Sequence, residues 1–414
     1  MKQRIFGNYE IFIIAILTIT QFTIILDFMV LSPLGAILMP ELKITPAQFG
    51  MVVSAYAFSA GASGLLAAGF ADRFDRKKMM LVFYTGFIIG TLLCGLAPDY
   101  YTLLGARIFT GIFGGVIGSI SFAIVTDLFR MEVRGRVMGF LQMAFAGSQV
   151  LGLPIGLYFA KEWGWHSPFI MIVIVSVIVA AAMMIYMKPV NAHLKLKSKV
   201  NAFNHLAGTL THNDYVTAFL ATTLLATGGF MLMPFASAFS VNNLGLTIDD
   251  LPVLYMVTGI FSMATGPFIG KLTDSVGKYR IFVYGTILSI MVVLVYCNLG
   301  ITPLWGVMIV SVVMFAGVAS RMISSQALLS GVPEQKDRGA FMSINASVQQ
   351  ISGGIATIVA GLIIVQQPSG RLDRYDLLGF VVSGLMLITI IMMYRLHSLV
   401  KAKMLKADAH AVRV

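Results

Sequence analysis

The sequence has 414 residues, of which 58% are hydrophobic and only 11% are charged. A soluble protein needs about a quarter of its residues charged, so a set of soluble domains is excluded. The 29 Phe and 26 Met residues likewise exclude a disordered chain, which has few large apolar side chains. The net charge of +11 would suggest nucleic-acid binding in a soluble protein, but in a membrane protein its meaning depends on where the basic residues lie.

Twelve apolar stretches follow one another along the chain, each near the ~20 residues that a helix needs to cross a bilayer. They are predicted, as spans 1 to 12, over 11–38, 46–70, 79–98, 100–127, 137–160, 167–187, 215–241, 251–271, 281–298, 303–330, 338–365 and 377–396. The stretches are too continuously apolar for the alternating pattern of a membrane β-barrel. We therefore predict an all-α integral membrane protein with 12 transmembrane helices.

The basic residues predict which side of the membrane each link occupies. If the N-terminus is cytoplasmic, both tails and the even-numbered links hold 23 of the 29 Lys and Arg residues. The opposite links hold only Lys43, Lys161, Arg371 and Arg374. This bias follows the positive-inside rule and predicts a multi-pass protein of the cell (inner or plasma) membrane with both termini cytoplasmic. Nucleic-acid binding is then not needed to explain the charge.

The two halves of the chain repeat a pattern. The segment 69–78 after span 2 is matched by 270–280 after span 8, and Arg134-Gly135 before span 5 is matched by Arg338-Gly339 before span 11. Two matches at nearly one offset predict a duplication into six-helix halves that run parallel to each other. The predicted organisation is an N-terminal half over 1–187, a cytoplasmic linker over 188–214, a C-terminal half over 215–397 and a cytoplasmic tail over 398–414.

Three motifs resemble those of the major facilitator superfamily. The link 69–78 resembles its signature loop, with Asp75 where Gly is usual, and span 4 carries Arg107 followed by a glycine ladder, as in the second motif. Gly152, Pro154 and Gly156 form a degenerate version of the antiporter motif in span 5. The resemblance is closest to the 12-span drug/proton antiporter-like efflux group. It implies two pseudo-symmetric halves, alternating access, a monomer, and a central cavity lined by spans 1, 4, 7 and 10.

Three charged residues lie within spans, where each costs about 2.5–3.5 kcal/mol to insert. They are Asp27 in span 1, Arg107 in span 4 and Arg321 in span 10, all on spans that the resemblance places at the cavity. Burial favours a neutral Asp27, whereas a nearby Arg favours its carboxylate. We therefore predict that Asp27 and Arg107 couple transport to protons. The alternatives are a fixed Asp27–Arg107 pair that only joins two helices, and an Arg321 that extends to the cytoplasmic surface.

Polar and aromatic residues on the inner spans are candidate substrate contacts. They are Gln21, Phe28, Tyr56, Gln142, Gln149, Thr227, Phe230, Met231, Phe235 and Arg321. A cavity rich in Met and Phe suits a varied or amphipathic substrate better than a sugar, which needs many hydrogen-bond partners.

Charged residues at the cytoplasmic ends of the spans are, by resemblance, contacts of the inner gate. They are Asp72, Arg73, Arg76, Lys77, Asp127 and Arg134 in the first half, with Asp274, Lys278 and Arg338 in the second. The alternative is that these residues only anchor the protein to lipid headgroups.

The sequence thus predicts a secondary transporter, with proton-coupled efflux of small amphipathic or drug-like molecules as the leading function. Alternatives are an importer or exchanger of a small anionic or zwitterionic metabolite, and a transporter-like receptor that moves nothing. We predict no enzyme activity, cofactor or metal, because no nucleophile–base set, metal-ligand spacing or phosphate loop is found. The predicted partners are a small-molecule substrate, protons and the lipid bilayer, without nucleic acid.

Overall fold

The computed structural model describes residues 6–67, 74–191, 194, 208–334 and 337–411. In these ranges twelve spans are long and apolar enough to cross a membrane, as predicted. The first half contains helices Asn8–Leu42, Pro46–Ala67, Arg76–Gly95, Tyr100–Leu128, Met131–Gly147, Leu153–Trp163 and Ser167–Tyr186. The second half contains helices Asn213–Phe230, Ala236–Asn242, Asp250–Val276, Lys278–Cys297, Leu304–Leu329, Arg338–Ile363 and Tyr375–Ala411.

Two features lie outside the predicted pattern. A short antiparallel hairpin in the link between spans 11 and 12 pairs strand β1 (Val365–Gln366) with β2 (Leu372–Asp373). The last helix runs to Ala411, although its membrane-compatible part ends at Lys403. The helix therefore continues through the segment 398–411 that we predicted as a tail.

Span 5 is interrupted by a proline. Its helices Met131–Gly147 and Leu153–Trp163 are joined by a π-helical turn, Ser148–Gly152. Pro154 has no N–H with which to bond the carbonyl four residues earlier, and a π turn immediately before it absorbs that missing bond.

Span 7 is interrupted in the same way at Pro234, within the 3₁₀ turn Met233–Phe235. Pro234 cannot donate to the carbonyl of Phe230. The Thr357 hydroxyl of span 11 donates to that carbonyl instead, at 3.1 Å, and the Tyr375 hydroxyl of span 12 donates to the neighbouring carbonyl of Leu232 at 3.4 Å. The break is stable because other spans supply the hydrogen bonds that it lacks.

Among the described residues, the most extensive contacts between the two halves are those of spans 1 and 7, spans 2 and 11, and spans 5 and 8. Small residues permit the contacts. A Cβ on Gly50 would lie 3.0 Å from the Thr357 carbonyl oxygen, and one on Gly259 would lie 3.1 Å from the carbonyl of Gln149. The halves therefore meet backbone to backbone at these points.

Candidate functional site

Asp27 and Arg107 form an ion pair inside the N-terminal half. Arg107 Nη1 lies 2.8 Å from Asp27 Oδ2, and both side chains are fully buried. The other carboxylate oxygen, Oδ1, accepts a hydrogen bond from the Thr91 hydroxyl of span 3 at 3.1 Å. Both oxygens are thus bonded, so side chains from three spans meet at one buried carboxyl group.

Arg107 is only partly satisfied by this pairing. Its Nε and Nη2 atoms are buried and have no hydrogen-bond partner among the described residues. The Tyr56 ring of span 2 lies beside the guanidinium, with its centroid 4.6 Å from Arg107 Cζ. The aromatic face stabilises the cation, but one edge of the guanidinium keeps unused donors.

The glycine ladder of span 4 places Tyr56 against Arg107. A Cβ on Gly111 would lie 2.6 Å from the Tyr56 carbonyl oxygen, and one on Gly114 would lie 2.6 Å from the Tyr56 hydroxyl. Only glycines let the two spans approach so closely. The glycines of span 4 therefore hold Tyr56 beside Arg107 as well as letting the two helices pack.

Arg321 lies in the C-terminal half without a partner of this kind. Its side chain is 3% exposed, and its Nε and Nη2 atoms have no hydrogen-bond partner in the part of the chain that the structure describes. Nη2 lies next to Gly228 of span 7, where a Cβ would be 3.6 Å away. Gly228 is in the middle of span 7, so the guanidinium lies against the midpoint of a neighbouring span.

The other predicted substrate contacts fall into two groups. Phe28, Tyr56 and Phe230 form an aromatic chain across the two halves, since Phe28 lies 5.5 Å from Tyr56 and 5.9 Å from Phe230, centroid to centroid. Gln21 donates to the Ser121 hydroxyl at 3.0 Å. Gln142 is exposed, Thr227 is half-buried, and Gln149, Met231 and Phe235 are buried. The first group lies directly beside the Asp27–Arg107 pair, whereas the remaining residues are dispersed.

The predicted gating residues that can be placed fasten the ends of spans within one half. Arg76 Nε lies 3.1 Å from Asp127 Oδ2. Lys77 donates to the Met184 carbonyl at the end of span 6 at 3.0 Å, and Lys278 donates to the Ala327 carbonyl at the end of span 10 at 3.2 Å. Cations at helix C-termini complement the unpaired carbonyls there.

The other predicted gating residues that the structure describes show no contact between the two halves. Arg134 donates to the Thr126 and Phe129 carbonyls, while Asp274 is exposed. Asp72, Arg73 and the Arg338 side chain lie outside the described residues. A latch between the halves at this side therefore stays a prediction.

The halves do connect on the opposite side, which the charge bias predicts to be external. Ser32 donates to the Met233 carbonyl at 2.5 Å, and Ser237 donates to the Ser32 carbonyl at 3.0 Å. Further out, Lys161 Nζ lies 2.8 Å from Asp249 Oδ1. This side is closed in the structure.

Sequence reasoning missed Thr91, Ser32 and Ser237. Each is a small hydroxyl residue in an apolar span, where bonding to the residue's own helix is common. No pattern in the sequence singled out any of the three. The partner of such a residue depends on how the helices are rotated, which a single sequence does not specify.

Comparison with known proteins agrees with this architecture. A family model described as Major Facilitator Superfamily matches residues 17–213 and 218–410. An uncharacterized MFS-type transporter of Bacillus subtilis, YceJ, is 29% identical over 65% of this chain and 68% of its own length. The multidrug resistance protein MdtG of Serratia proteamaculans is 25% identical over 73% of this chain and 74% of its own length.

A solved structure shares the fold. A bacterial homolog of the human lysosomal transporter Spinster, in an inward-facing and occupied conformation, covers 96% of this chain and 97% of its own, with a TM-score of 0.68 and 15% sequence identity. The family and the structural neighbours are transporters, so the resemblance stated from the motifs is confirmed, and the chain is a multi-pass membrane transporter and not an enzyme.

Proposed function

The chain belongs to the major facilitator superfamily, and on that premise we propose that it is a proton-coupled exporter of small amphipathic molecules that works by alternating access. The observation that best supports this proposal is the buried Asp27–Arg107 ion pair. Relatives named multidrug resistance proteins support efflux as the direction. Both termini are proposed to be cytoplasmic, the cell membrane to be the location, and the monomer to be the working unit.

The ion pair supports proton coupling because the surroundings of Arg107 differ strongly in energy between charged and protonated Asp27. With Asp27 charged, Arg107 has a counter-charge at 2.8 Å. When Asp27 takes up a proton, Arg107 keeps the Tyr56 ring and a 3.4 Å hydrogen bond to the Asp27 backbone carbonyl but loses its counter-charge, and an uncompensated buried charge costs several kcal/mol. Proton uptake therefore favours a rearrangement that brings water or substrate to Arg107.

Access to Asp27 requires movement of the spans. Its side chain is fully buried, and the external side is closed by contacts such as Ser32 to Met233. In the proposed cycle, rocking of the halves opens Asp27 to one side of the membrane at a time. The proton gradient then drives substrate in the opposite direction.

Asp27→Asn tests the coupling. Asparagine keeps the size of the side chain but can neither take up nor release a proton, so we expect proton-driven uptake of amphipathic dyes into everted vesicles to be lost with normal expression. Asp376→Asn, the same change at an exposed acid in the first turn of span 12, is the matched control and should transport normally. Wild-type transport by Asp27→Asn would overturn the coupling.

A second function, import or exchange of an anionic or zwitterionic metabolite, is favoured by one observation. The Nε and Nη2 atoms of the buried Arg321 have no hydrogen-bond partner among the described residues. Reversing the imposed pH gradient in the same vesicles separates the two functions. Export by antiport moves substrate against the proton flow, whereas symport moves it with that flow.

A further inference from the structure

We propose that Arg321 is a carboxylate-binding site in the C-terminal half and that the transported molecule carries a carboxylate. The inference names the substrate class of the proposed transporter, and so rests on that function. The observation behind the inference is that one edge of the buried Arg321 guanidinium has no hydrogen-bond partner among the described residues.

The unpaired atoms of Arg321 are the two that make a bidentate contact. Nε and Nη2 lie on one edge of the planar guanidinium, and both lack a partner among the described residues. Two parallel N–H donors at that spacing match the two oxygens of a carboxylate. Arg321 is 3% exposed, so a ligand on that edge is bound away from bulk water, where the contact is strongest.

Among the side chains that the structure describes, no carboxylate bonds to this edge. The acidic residues of the C-terminal half all lie in links, at span ends or in the tail, at Asp214, Asp249, Asp250, Asp274, Glu334, Asp337, Asp373, Asp376 and Asp408. The N-terminal half, by contrast, pairs its buried arginine with Asp27. A buried charge is costly unless it is paired, so the counter-charge of Arg321 is expected from outside the chain.

The residues around Arg321 are small or flexible. Gly228 of span 7 faces Nη2, and the flexible Met386 side chain of span 12 also approaches Gly228, at 3.6 Å from a Cβ built there. One helical turn from Met386, the Ser383 hydroxyl is buried with no partner among the described residues. A glycine, a mobile thioether and a spare hydroxyl donor suit an amphipathic molecule with one carboxylate end.

The test is equilibrium binding to the purified full-length protein in detergent, without a pH gradient. The probes are acetate, octanoate and dansyl-leucine, each matched to its neutral amide, and binding is followed by thermal shift and by dansyl fluorescence. We expect at least one carboxylate to bind roughly tenfold or more tightly than its amide, as for a charge-assisted bidentate contact. If only acetate discriminates, a small anion and not an amphipathic substrate fills the site, and the substrate-class inference is overturned.

Three variants test whether the preference for carboxylates over amides depends on Arg321. Arg321→Gln should lose the preference for carboxylates, and Arg321→Lys should keep part of it as a point charge. Gly228→Ala leaves the charge in place but narrows the space beside Nη2, and should weaken octanoate and dansyl-leucine more than acetate. An equal preference in wild type and Arg321→Gln, or no preference in any pair, would overturn the site; if Arg321→Gln does not fold, Gly228→Ala and Arg321→Lys decide.

The same measurement on Asp27→Asn separates this inference from the proposed function. Carboxylate binding that survives in Asp27→Asn while proton-driven transport is lost supports both. Loss of transport without any carboxylate preference contradicts only the site at Arg321. A carboxylate preference together with normal transport by Asp27→Asn contradicts only the proton coupling.

Discussion

The buried arginines Arg107 and Arg321 differ in the contacts that stabilise their charge, and this difference governs their effect on stability. Arg107 has Asp27 at 2.8 Å and an aromatic ring beside it. Arg321 has neither an ion pair nor a hydrogen bond to its Nε and Nη2 atoms among the described residues. The same substitution should therefore have opposite effects at the two positions.

Arg107→Gln should lower the unfolding temperature of the purified protein, because it leaves the buried Asp27 carboxylate without its counter-charge, at a cost of about 3–5 kcal/mol. The loss should shrink as the pH falls, since a neutral Asp27 needs no counter-charge. Arg321→Gln removes an unpaired buried charge and should leave the unfolding temperature unchanged or raise it when no carboxylate is added. Thermal unfolding in detergent at several pH values measures both, and an equal fall in the two variants would contradict this assignment.

At this scale the sequence was informative about which residues matter and raised an Asp27–Arg107 pair as an alternative, but it indicated no other partner. A charge in an apolar span is rare and costly, so Asp27, Arg107 and Arg321 could be selected by residue type alone. The contact between Asp27 and Thr91 joins two spans far apart in sequence, and it depends on helix rotation. Nothing in the local pattern around Arg321 showed that it would lack the ionic partner that Arg107 has.

Among the spans, glycines decide how closely spans 2 and 4 pack. A Cβ on Gly115 would lie 2.3 Å from the Ala60 carbonyl oxygen, whereas nothing lies within 4 Å of a Cβ on Gly105 in the same span. The predicted small-residue ladder is therefore a contact surface at Gly111, Gly114 and Gly115. At Gly118 the nearest atom is Gln21 Nε2 at 4.0 Å, so this glycine faces span 1.

Gly115→Ala should destabilise the protein by about 1–3 kcal/mol, as overpacking of a close contact does, because the clash is with backbone that cannot rotate away. The shift of span 2 should also move Tyr56 from Arg107 and lower proton-driven transport. Gly105→Ala is the matched control, and it should be neutral or slightly stabilising because alanine favours the helix over glycine. Thermal unfolding and vesicle uptake report the two effects, and similar unfolding temperatures for the two variants would contradict the contact.

The twelve spans were predictable because length and apolarity are direct requirements of the bilayer. The interruptions at Pro154 and Pro234 were not, although both prolines are visible in the sequence. A proline within a span is tolerated wherever neighbours supply the missing hydrogen bonds, and here those neighbours are Thr357 and Tyr375, more than a hundred residues along the chain. The consequence for the site is that span 7 also offers the Met233 carbonyl to Ser32 of the other half.

In the whole molecule, contacts on one side hold the two halves together. They include the Ser237–Ser32 hydrogen bond at 3.0 Å and the ring contact of Phe49 with Phe235 at 5.9 Å. Farthest out is the Lys161–Asp249 ion pair at 2.8 Å, whose side chains are 41% and 63% exposed. For alternating access these contacts must all break together. The sum of their free energies therefore determines how often this side opens.

The parallel arrangement of the halves was predictable from the repeat, and the identity of the closed side was not. The repeat fixes the topology, but the two end states of a rocking transporter share one sequence and differ only in which contacts are made. Lys161 entered the sequence argument only as an exception to the charge bias. In the structure Lys161 forms an ion pair with Asp249 of the other half, so this basic residue has a role in holding the halves together.

Charge reversal at the outer pair tests this closure. Lys161→Glu places two carboxylates opposite each other and should open the side more often, and Lys161→Glu with Asp249→Lys should restore closure. The readout is labelling of Ser237→Cys by an impermeant maleimide added outside intact cells, since Ser237 is buried in the closed form and the native Cys94 and Cys297 are buried as well. An exposed ion pair contributes about 0–1 kcal/mol, so losing it should raise labelling by up to about fivefold. Repulsion between the two carboxylates should add to this rise, and high salt should reduce it by screening. Labelling that is equal in all three backgrounds would show that the pair does not hold the halves together, and labelling only from the cytoplasmic side would reverse the proposed orientation.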